Sequence, residues 1–308
     1  MISIAFLPVD GFALMSFAAA SEPLRAANLL AGRRLYEIRT LPVAGAAAVA
    51  SNGATVPRDG PDSPPDIAFV VAAGDPFAVR DRRLFDRLRQ WGRAGVTLGG
   101  VSGGPVILAR AGLMNGRRMA VHWEHAAPLA EAEPAVLLER SLFVIDRDRI
   151  TCAGGAAPMD MMHHLIARDH GAAFARQVSD WFHHTEVRPE TGAQRSGAMA
   201  RWGVRAAPVA DAIEMMEIHL ADPLSLTQLA GITGVSARHL NRLFRDERGT
   251  TAMAFYLRLR LEQAKRMLET TPLGLKQVAE ATGFASVGHF STRFSRAFGM
   301  APSLVVGG

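Results

Sequence analysis

One cysteine in 308 residues, Cys152, is the first constraint. A lone thiol closes no disulfide within the chain and cannot build a cysteine-based zinc site. Long apolar runs are missing as well, since no window reaches the ~18 uninterrupted apolar residues of a bilayer-spanning helix. Residues 1–7 are apolar but have no basic stretch, and Pro8 and Asp10 interrupt them. Ala18-Ala19-Ala20 has the letters of a signal cleavage site without a continuous apolar segment ahead of it. A first buried strand is therefore expected, and a cytoplasmic protein without a membrane partner. The Gly-x4-Gly-Lys spacing of a Walker loop is absent too. Histidines cluster as His122/His125, His163/His164 and His183/His184. Neighbours on a helix point about 100° apart, and no carboxylate pattern completes a ligand set, so neither a metal nor a cofactor is expected.

The 49% of hydrophobic residues against 20% charged can bury a sizeable core, and the length suits one large or two ordinary domains. Net charge is +5, carried mostly by arginine. From Arg201 onward there are 13 Lys and Arg against 9 Asp and Glu, so the basicity belongs to the last third. Such clustering is the footprint of a polyanionic partner.

Two regimes follow one another along the chain. Over 1–188, short apolar runs (2–7, 36–41, 66–73, 96–101) alternate with amphipathic stretches (15–30, 82–93, 159–168, 172–183). Residues 142–146 and 149–152 read as a hairpin turning at Arg147-Asp148. That alternation predicts an α/β domain, a parallel sheet flanked by helices. Residues 189–208, rich in Pro, Gly, Ala and Ser without a period, read as a linker, in which Trp202 is out of place for a free tether. Residues 209–308 read as all-α.

The helical part contains a repeat. Leu226-Thr-Gln-Leu-Ala-Gly-Ile-Thr-Gly234 matches Leu275-Lys-Gln-Val-Ala-Glu-Ala-Thr-Gly283, and His239-Leu240 and Phe244 match His289-Phe290 and Phe294. Each copy is a short helix, a turn at glycine and a second helix, the helix-turn-helix pattern. In the first copy Leu240, Leu243 and Phe244 point inward, while Arg238, Asn241, Arg242 and Arg245 share the opposite face near the start of a helix capped by Ser236. Arginine reads a guanine edge and asparagine an adenine edge, each worth ~1–3 kcal/mol of discrimination. In the second copy Phe290, Phe294 and Ala297 form the inner stripe, and Gly288, Ser291, Thr292 and Ser295 face out, a set suited to close phosphate approach or weak readout better than to strong base selection. Between the copies, Met253, Leu257, Leu261, Ala264 and Leu268 sustain a helical stripe. On the motifs LTQLAGITGVSARHLNRLFRDERG, FYLRLRLEQAKRML and QVAEATGFASVGHFSTRFSRAFGMAP, residues 208–302 resemble the AraC/XylS family of transcriptional regulators. The resemblance implies two helix-turn-helix units in adjacent major grooves of double-stranded DNA, with base-facing positions at Arg238, Asn241, Arg242, Gly288, Ser291 and Thr292. The closing SLVVGG departs from the basic tail common in that family.

In the first domain the chemically richest stretch is VTLGGVSGGPVILA. An apolar strand runs into Ser102, small residues allow a sharp turn, and Pro105 suits the first turn of a helix. This is nucleophile-elbow geometry, aiming backbone N–H groups and a helix N-terminus at one point. A serine nucleophile needs an oriented base. His122 and His125 are candidates, with Glu124 to orient one, but no oxyanion-loop motif or downstream Asp…His order accompanies them. The stretches GFALMSFAAASEPLRAAN, LGGVSGGPVILARAGLMNGRRMAVHWEH and LFVIDRDRITCAGGAAPMDMMHHLIARDHG resemble the PfpI/glutamine-amidotransferase-like superfamily over 1–188. Its enzymes use a cysteine on the elbow, a later histidine and often an acid from the first helix. The matching positions here are Ser102, His122 and Ser16, so two of three reactive groups are changed. The fused architecture is similar to the GlxA-like branch of AraC-type regulators, which implies a sensor in place of an enzyme.

The expected pocket lies at the strand C-termini, with Ser102 and the Gly103 and Gly104 amides for a carboxylate, Trp123 beside His122 for a cation, and Glu124 or Glu22 as counter-charge. That set suits a small zwitterion, such as a methylated amino acid, a betaine, carnitine or a basic amino acid. For Glu22 a helix ion pair with Arg25 is the competing reading. The expected protein is a ligand-responsive DNA-binding activator, dimeric, with RNA polymerase as a further partner when it activates. The rival reading is a serine-variant amidase or hydrolase carrying a DNA-binding domain.

Overall fold

The computed structural model describes residues 1–194, 197–270 and 273–305, which divide into two compact units, 1–194 and 195–308. The first unit is built on a six-stranded sheet ordered β2-β1-β5-β6-β10-β9. Its strands are β1 (Ile2–Pro8), β2 (Tyr36–Thr40), β5 (Ile67–Ala72), β6 (Thr97–Ser102), β9 (Phe143–Asp146) and β10 (Arg149–Cys152). All neighbours are parallel except the β9–β10 hairpin. Alternation along each strand makes two cores. Ile4, Phe6, Phe69, Val71 and Cys152 face one way; Ala5, Leu7, Ala68 and Val70 face the other. The first core is covered by α1 (Leu14–Leu30), α5 (Ala157–His170) and α6 (Ala172–Trp181). The second is covered by α2 (Arg82–Arg93), α3 (Gly104–Arg110) and α4 (Trp123–Ala132). β5 is buried at every residue, as a central strand with helices on both faces must be.

Two small sheets lie outside this frame: β3 (Ala47–Val49) with β4 (Thr55–Pro57), and β7 (Arg118–Met119) with β8 (Leu137–Leu138). Their strands of two or three residues are too short to show a period of two, so they have no sequence signal. α4 escapes the sequence reading for a different reason, because Pro128 lies inside it.

The stretch expected as a linker, 189–208, is structured over its described residues, 189–194 and 197–208; residues 195–196 lie outside them. Residues 189–194 stay on the first unit: Glu190 O accepts Leu142 N (2.9 Å), and Gln194 Nε2 donates to Val121 O (3.0 Å) and Ser141 O (2.8 Å). The sheet unit thus extends past Arg188 to Gln194. Beyond it, α7 (Ala198–Trp202) packs on α8 (Ala207–Ile218). Trp202 docks edge-on against Phe255 at 5.1 Å and donates from Nε1 to Glu217, and Arg248 caps its carbonyl at 2.7 Å.

The second unit continues with α9 (Leu226–Ile232), α10 (Ala237–Arg248), α11 (Ala252–Thr270), α12 (Leu275–Ala281), α13 (Val287–Phe298) and a 3-10 turn at Pro302–Leu304. It has two cores, and α11 feeds both: Ala252, Phe255, Tyr256 and Leu259 enter the first, Leu261, Ala264 and Leu268 the second. Met253, expected in that stripe, is 38% exposed, and Ala252 takes the buried place instead. Ala297 is likewise exposed; Phe298 completes the inner stripe of α13, 4.6 Å from Phe294. Side chains on α10 fix neighbouring helix starts. Glu247 accepts from Arg205 N and Ala206 N at 3.0 and 2.8 Å, satisfying two donors at the head of α8.

Candidate functional site

Ser102 is the last residue of β6 and stands at φ 61°, a left-handed conformation that costs a serine on the order of 1 kcal/mol or more. The turn expected around it is therefore present as a strained elbow. It is tightly built. A Cβ on Gly104 would sit 2.0 Å from Val70 O, so only glycine lets α3 start this close to β5. Pro105 occupies the first turn of α3.

The expected carboxylate donors are only partly available. Gly103 N–H donates to Ala72 O at 2.9 Å, so it serves the sheet and not a ligand. α3 is a helix of seven residues, about two turns. Ser102 is 7% exposed, its hydroxyl flanked by Gly154. Across from it, the buried Ser16 of α1 accepts Gly155 N–H through Oγ at 2.8 Å. Where the related enzymes are expected to carry an acid, this chain holds a loop with a hydroxyl.

Of the group after the elbow, His122 caps α4: its Nδ1 accepts Glu124 N–H at 3.4 Å and lies 3.7 Å from the Glu124 carboxylate. The Trp123 ring is 5.2 Å from the His122 ring and is 43% exposed. His122, Trp123 and Glu124 are thus brought together, and His122 N contacts Ser102 O at 3.5 Å. His125 turns inward, and burial, then the neighbouring His122, lowers its pKa, which keeps the ring neutral at pH 7. Glu22 departs from the expected site set. It is half-buried on α1 and ion-paired with the exposed Arg25 at 2.6 Å, the competing helix pair. Cys152 is sealed inside the sheet, and burial pushes its thiol up to about 12. Among the described residues no group of three or more His, Cys, Asp and Glu converges as a metal site would require, and no helix is long and apolar enough to cross a membrane.

In the helical unit, α10 and α13 present matching faces. Ser236 and Ser286 cap them, each accepting a histidine N–H at 3.2 Å. Arg238, Arg242 and Arg245 are all exposed on α10. Asn241 is half-buried, and its Oδ1 accepts Ala252 N–H at 3.0 Å; it holds the head of α11, a role no local pattern announces. On α13, Gly288 and Thr292 are exposed, Ser291 and Ser295 half-buried, and Thr292 Oγ1 is turned back onto Gly288 O at 2.9 Å. Sequence reasoning missed the cations of this second helix. Arg293 and Arg296 are exposed on α13, with Arg293 Nε donating to His289 Nε2 at 3.2 Å. Neither continues the spacing of Gly288, Ser291, Thr292 and Ser295, so the face pattern gave no signal for them.

An elbow-bearing α/β unit joined to a pair of serine-capped helix-turn-helix units, the first of them arginine-faced, defines a transcriptional regulator with an amidotransferase-like sensor. Residues 4–168 match the DJ-1/PfpI family and residues 229–306 a helix-turn-helix domain. The chain is 44% identical to the HTH-type transcriptional regulator GlxA of Rhizobium meliloti (strain 1021), over 97% of this chain and 94% of that one. It is 41% identical to the HTH-type transcriptional regulator CdhR of Pseudomonas aeruginosa, over 97% and 89%. The crystal structure of an AraC family transcriptional regulator from Pseudomonas putida superposes with a TM-score of 0.54 at 25% identity, covering 59% of this chain and 100% of that one. The chain belongs to the GlxA-like AraC/XylS-family transcriptional regulators with an N-terminal DJ-1/PfpI domain.

Proposed function

We propose that the sheet unit captures a small zwitterion beside Ser102 without turning it over, and that capture alters binding of the helical unit to its operator. The observation that carries this reading is the Ser102 elbow: it keeps the strained backbone at φ 61° while Ser16 stands where an acid is expected and the one thiol is sealed at Cys152. The Ser102 hydroxyl receives the carboxylate, the exposed face of Trp123 the cation, and Glu124 supplies the counter-charge. A betaine, carnitine or basic amino acid has that pattern. Arg238, Arg242 and Arg245, joined by Arg293, meet DNA. The protein acts in the cytoplasm as a dimer, which doubles these contacts on a two-fold operator, and it activates by recruiting RNA polymerase.

A ligand shifts such a protein only by its differential affinity for two states. The test is calorimetric titration of the full chain with glycine betaine, carnitine and arginine, with product analysis of the same mixtures. Saturable binding of one compound that is recovered intact supports the sensor. Its consumption, lost in Ser102→Ala, supports the amidase reading in its place. Trp123→Ala should remove the response while basal DNA binding persists.

A further inference from the structure

The chain leaves the sheet unit along the segment that carries the ligand residues. Gln194 is the last residue of that unit. Its Nε2 donates to Val121 O at 3.0 Å and to Ser141 O at 2.8 Å, while its buried Oε1 has no hydrogen-bond partner among the described residues. Val121 is itself buried and directly precedes His122, Trp123 and Glu124. One side-chain amide thus grips the main chain on which the site is mounted, at the point where the polypeptide passes to the DNA-binding unit.

The rest of the exit strap is fastened beside the same site. Glu190 O accepts Leu142 N–H at 2.9 Å and its carboxylate pairs with Arg118 at 3.4 Å. A Cβ on Gly192 would meet Leu142 at 2.7 Å, so the strap lies flat there. Upstream, Arg188 donates to the fully buried Asp160 from N, Nε and Nη2, and His184 Nε2 shares that carboxylate at 2.8 Å. Asp160 belongs to the first turn of α5, which follows the Gly154-Gly155 loop against Ser102 and Ser16. These anchors differ in kind. Asp160 has both oxygens paired, a rivet. Gln194 uses its two donors and leaves a buried acceptor unsatisfied, and such a group keeps its desolvation penalty. A clamp held at that cost is the one that a small shift of residues 121–124 can open.

We propose that Gln194 is a positioning residue that couples the two ends of the signal: it holds Val121 in place for the ligand residues, and ligand capture at Trp123 changes its grip on the strap. Coupling of this kind is reciprocal. The inference rests on the ligand site proposed above, and the experiment separates the two. Hydrogen exchange of the full chain is followed in peptides over 120–126 and 187–194. In the wild-type protein these two peptides should open together. Gln194→Met, which keeps the length and removes the donors, should speed exchange over 120–126 about tenfold with no ligand present, leaving α8 and α10 unchanged. Glycine betaine, carnitine and arginine are then the probes. A probe that changes operator affinity of the wild type should leave that of Gln194→Met within about twofold of its probe-free value, at similar melting temperature. Independent opening of the two peptides, wild-type exchange in Gln194→Met, or an undiminished probe response in it overturns the assignment. If no probe binds the wild type, the zwitterion reading fails, and the exchange experiment by itself decides the role of Gln194.

Discussion

Ser102 and Gly154 leave no room for each other: a Cβ on Gly154 would lie 2.5 Å from the Ser102 Cβ and 3.0 Å from its Oγ. Gly154 also stands at φ 91°, closed to most side chains. Its neighbour Gly155 donates its N–H to Ser16 of α1, so the loop after β10 lies against the elbow through Gly154 and is tied to α1 through Gly155. Gly154→Ala should therefore cost roughly 1–3 kcal/mol through strain and displacement of Ser102. Urea denaturation measures the loss. Capture of the effector should fail in the same variant, while operator binding by the helical unit persists. Unchanged stability would mean that the loop yields without moving Ser102.

Cys152 sets a pH dependence with a definite sign. The folded thiol keeps its proton up to about 12 because it is buried, whereas an unfolded thiol loses it near pH ~8.5. Between these values the unfolded state binds fewer protons, so the stability that the buried thiol represents is intact below pH ~8.5 and declines as pH rises. Tyr36, raised by its burial and by Asp169, adds to the decline at higher pH. Melting temperatures from pH 7.5 to 10 should fall more steeply for the wild type than for Cys152→Ala. Equal slopes would place the lost protons elsewhere. At pH 8 the thiol should resist iodoacetamide until the protein unfolds.

Much of the fold was legible because burial leaves a written period. The run from Ile67 to Ala72 is apolar at every position since both sheet faces are covered, and Leu84, Leu88 and Trp91 mark the buried stripe of α2. The Ser102 elbow was legible for a local reason, as strand, turn and proline lie within ten residues. What stayed hidden depends on long-range partners. Nothing near Gly103 announces that its N–H is held by Ala72 O, and nothing near Gln194 announces Val121. Asn241 shows the limit best, because an asparagine facing a groove and one capping a helix eleven residues on look the same in a repeat.

That capping role separates two substitutions on one helix. Asn241→Ala removes the acceptor of Ala252 N–H and should lower stability by ~1 kcal/mol, as losing a helix cap does. Arg242 is exposed, so Arg242→Ala should stay within ~0.5 kcal/mol of the wild type in stability. On the operator the order reverses. Arg242→Ala should lose ~1–3 kcal/mol of specific binding, with little change on unrelated DNA. Thermal melts and fluorescence anisotropy on both DNAs distinguish the two, and an Asn241→Ala variant with wild-type melting would remove its structural role.

Arg293 tests what the second helix-turn-helix unit does. The outward face of α13 read as small and hydroxylated, which suits close phosphate approach or weak readout better than strong base selection. The structure adds an exposed cation elsewhere on the same helix, Arg293, hydrogen-bonded to His289 Nε2. Guanidinium has no acceptor, so His289 must present an unprotonated Nε2 in this pair. Five residues after Gly288, at ~100° per residue, Arg293 lies about 140° around the helix from it, away from the set expected to face the groove. A phosphate contact is therefore the expected one, and it has a distinct signature. Arg293→Ala should weaken binding to operator and to unrelated DNA by the same factor, and should reduce the slope of log affinity against log salt by about one. Arg242→Ala changes specificity; Arg293→Ala should leave it alone. A loss confined to the operator would place Arg293 on a base edge and make α13 a second reader of sequence.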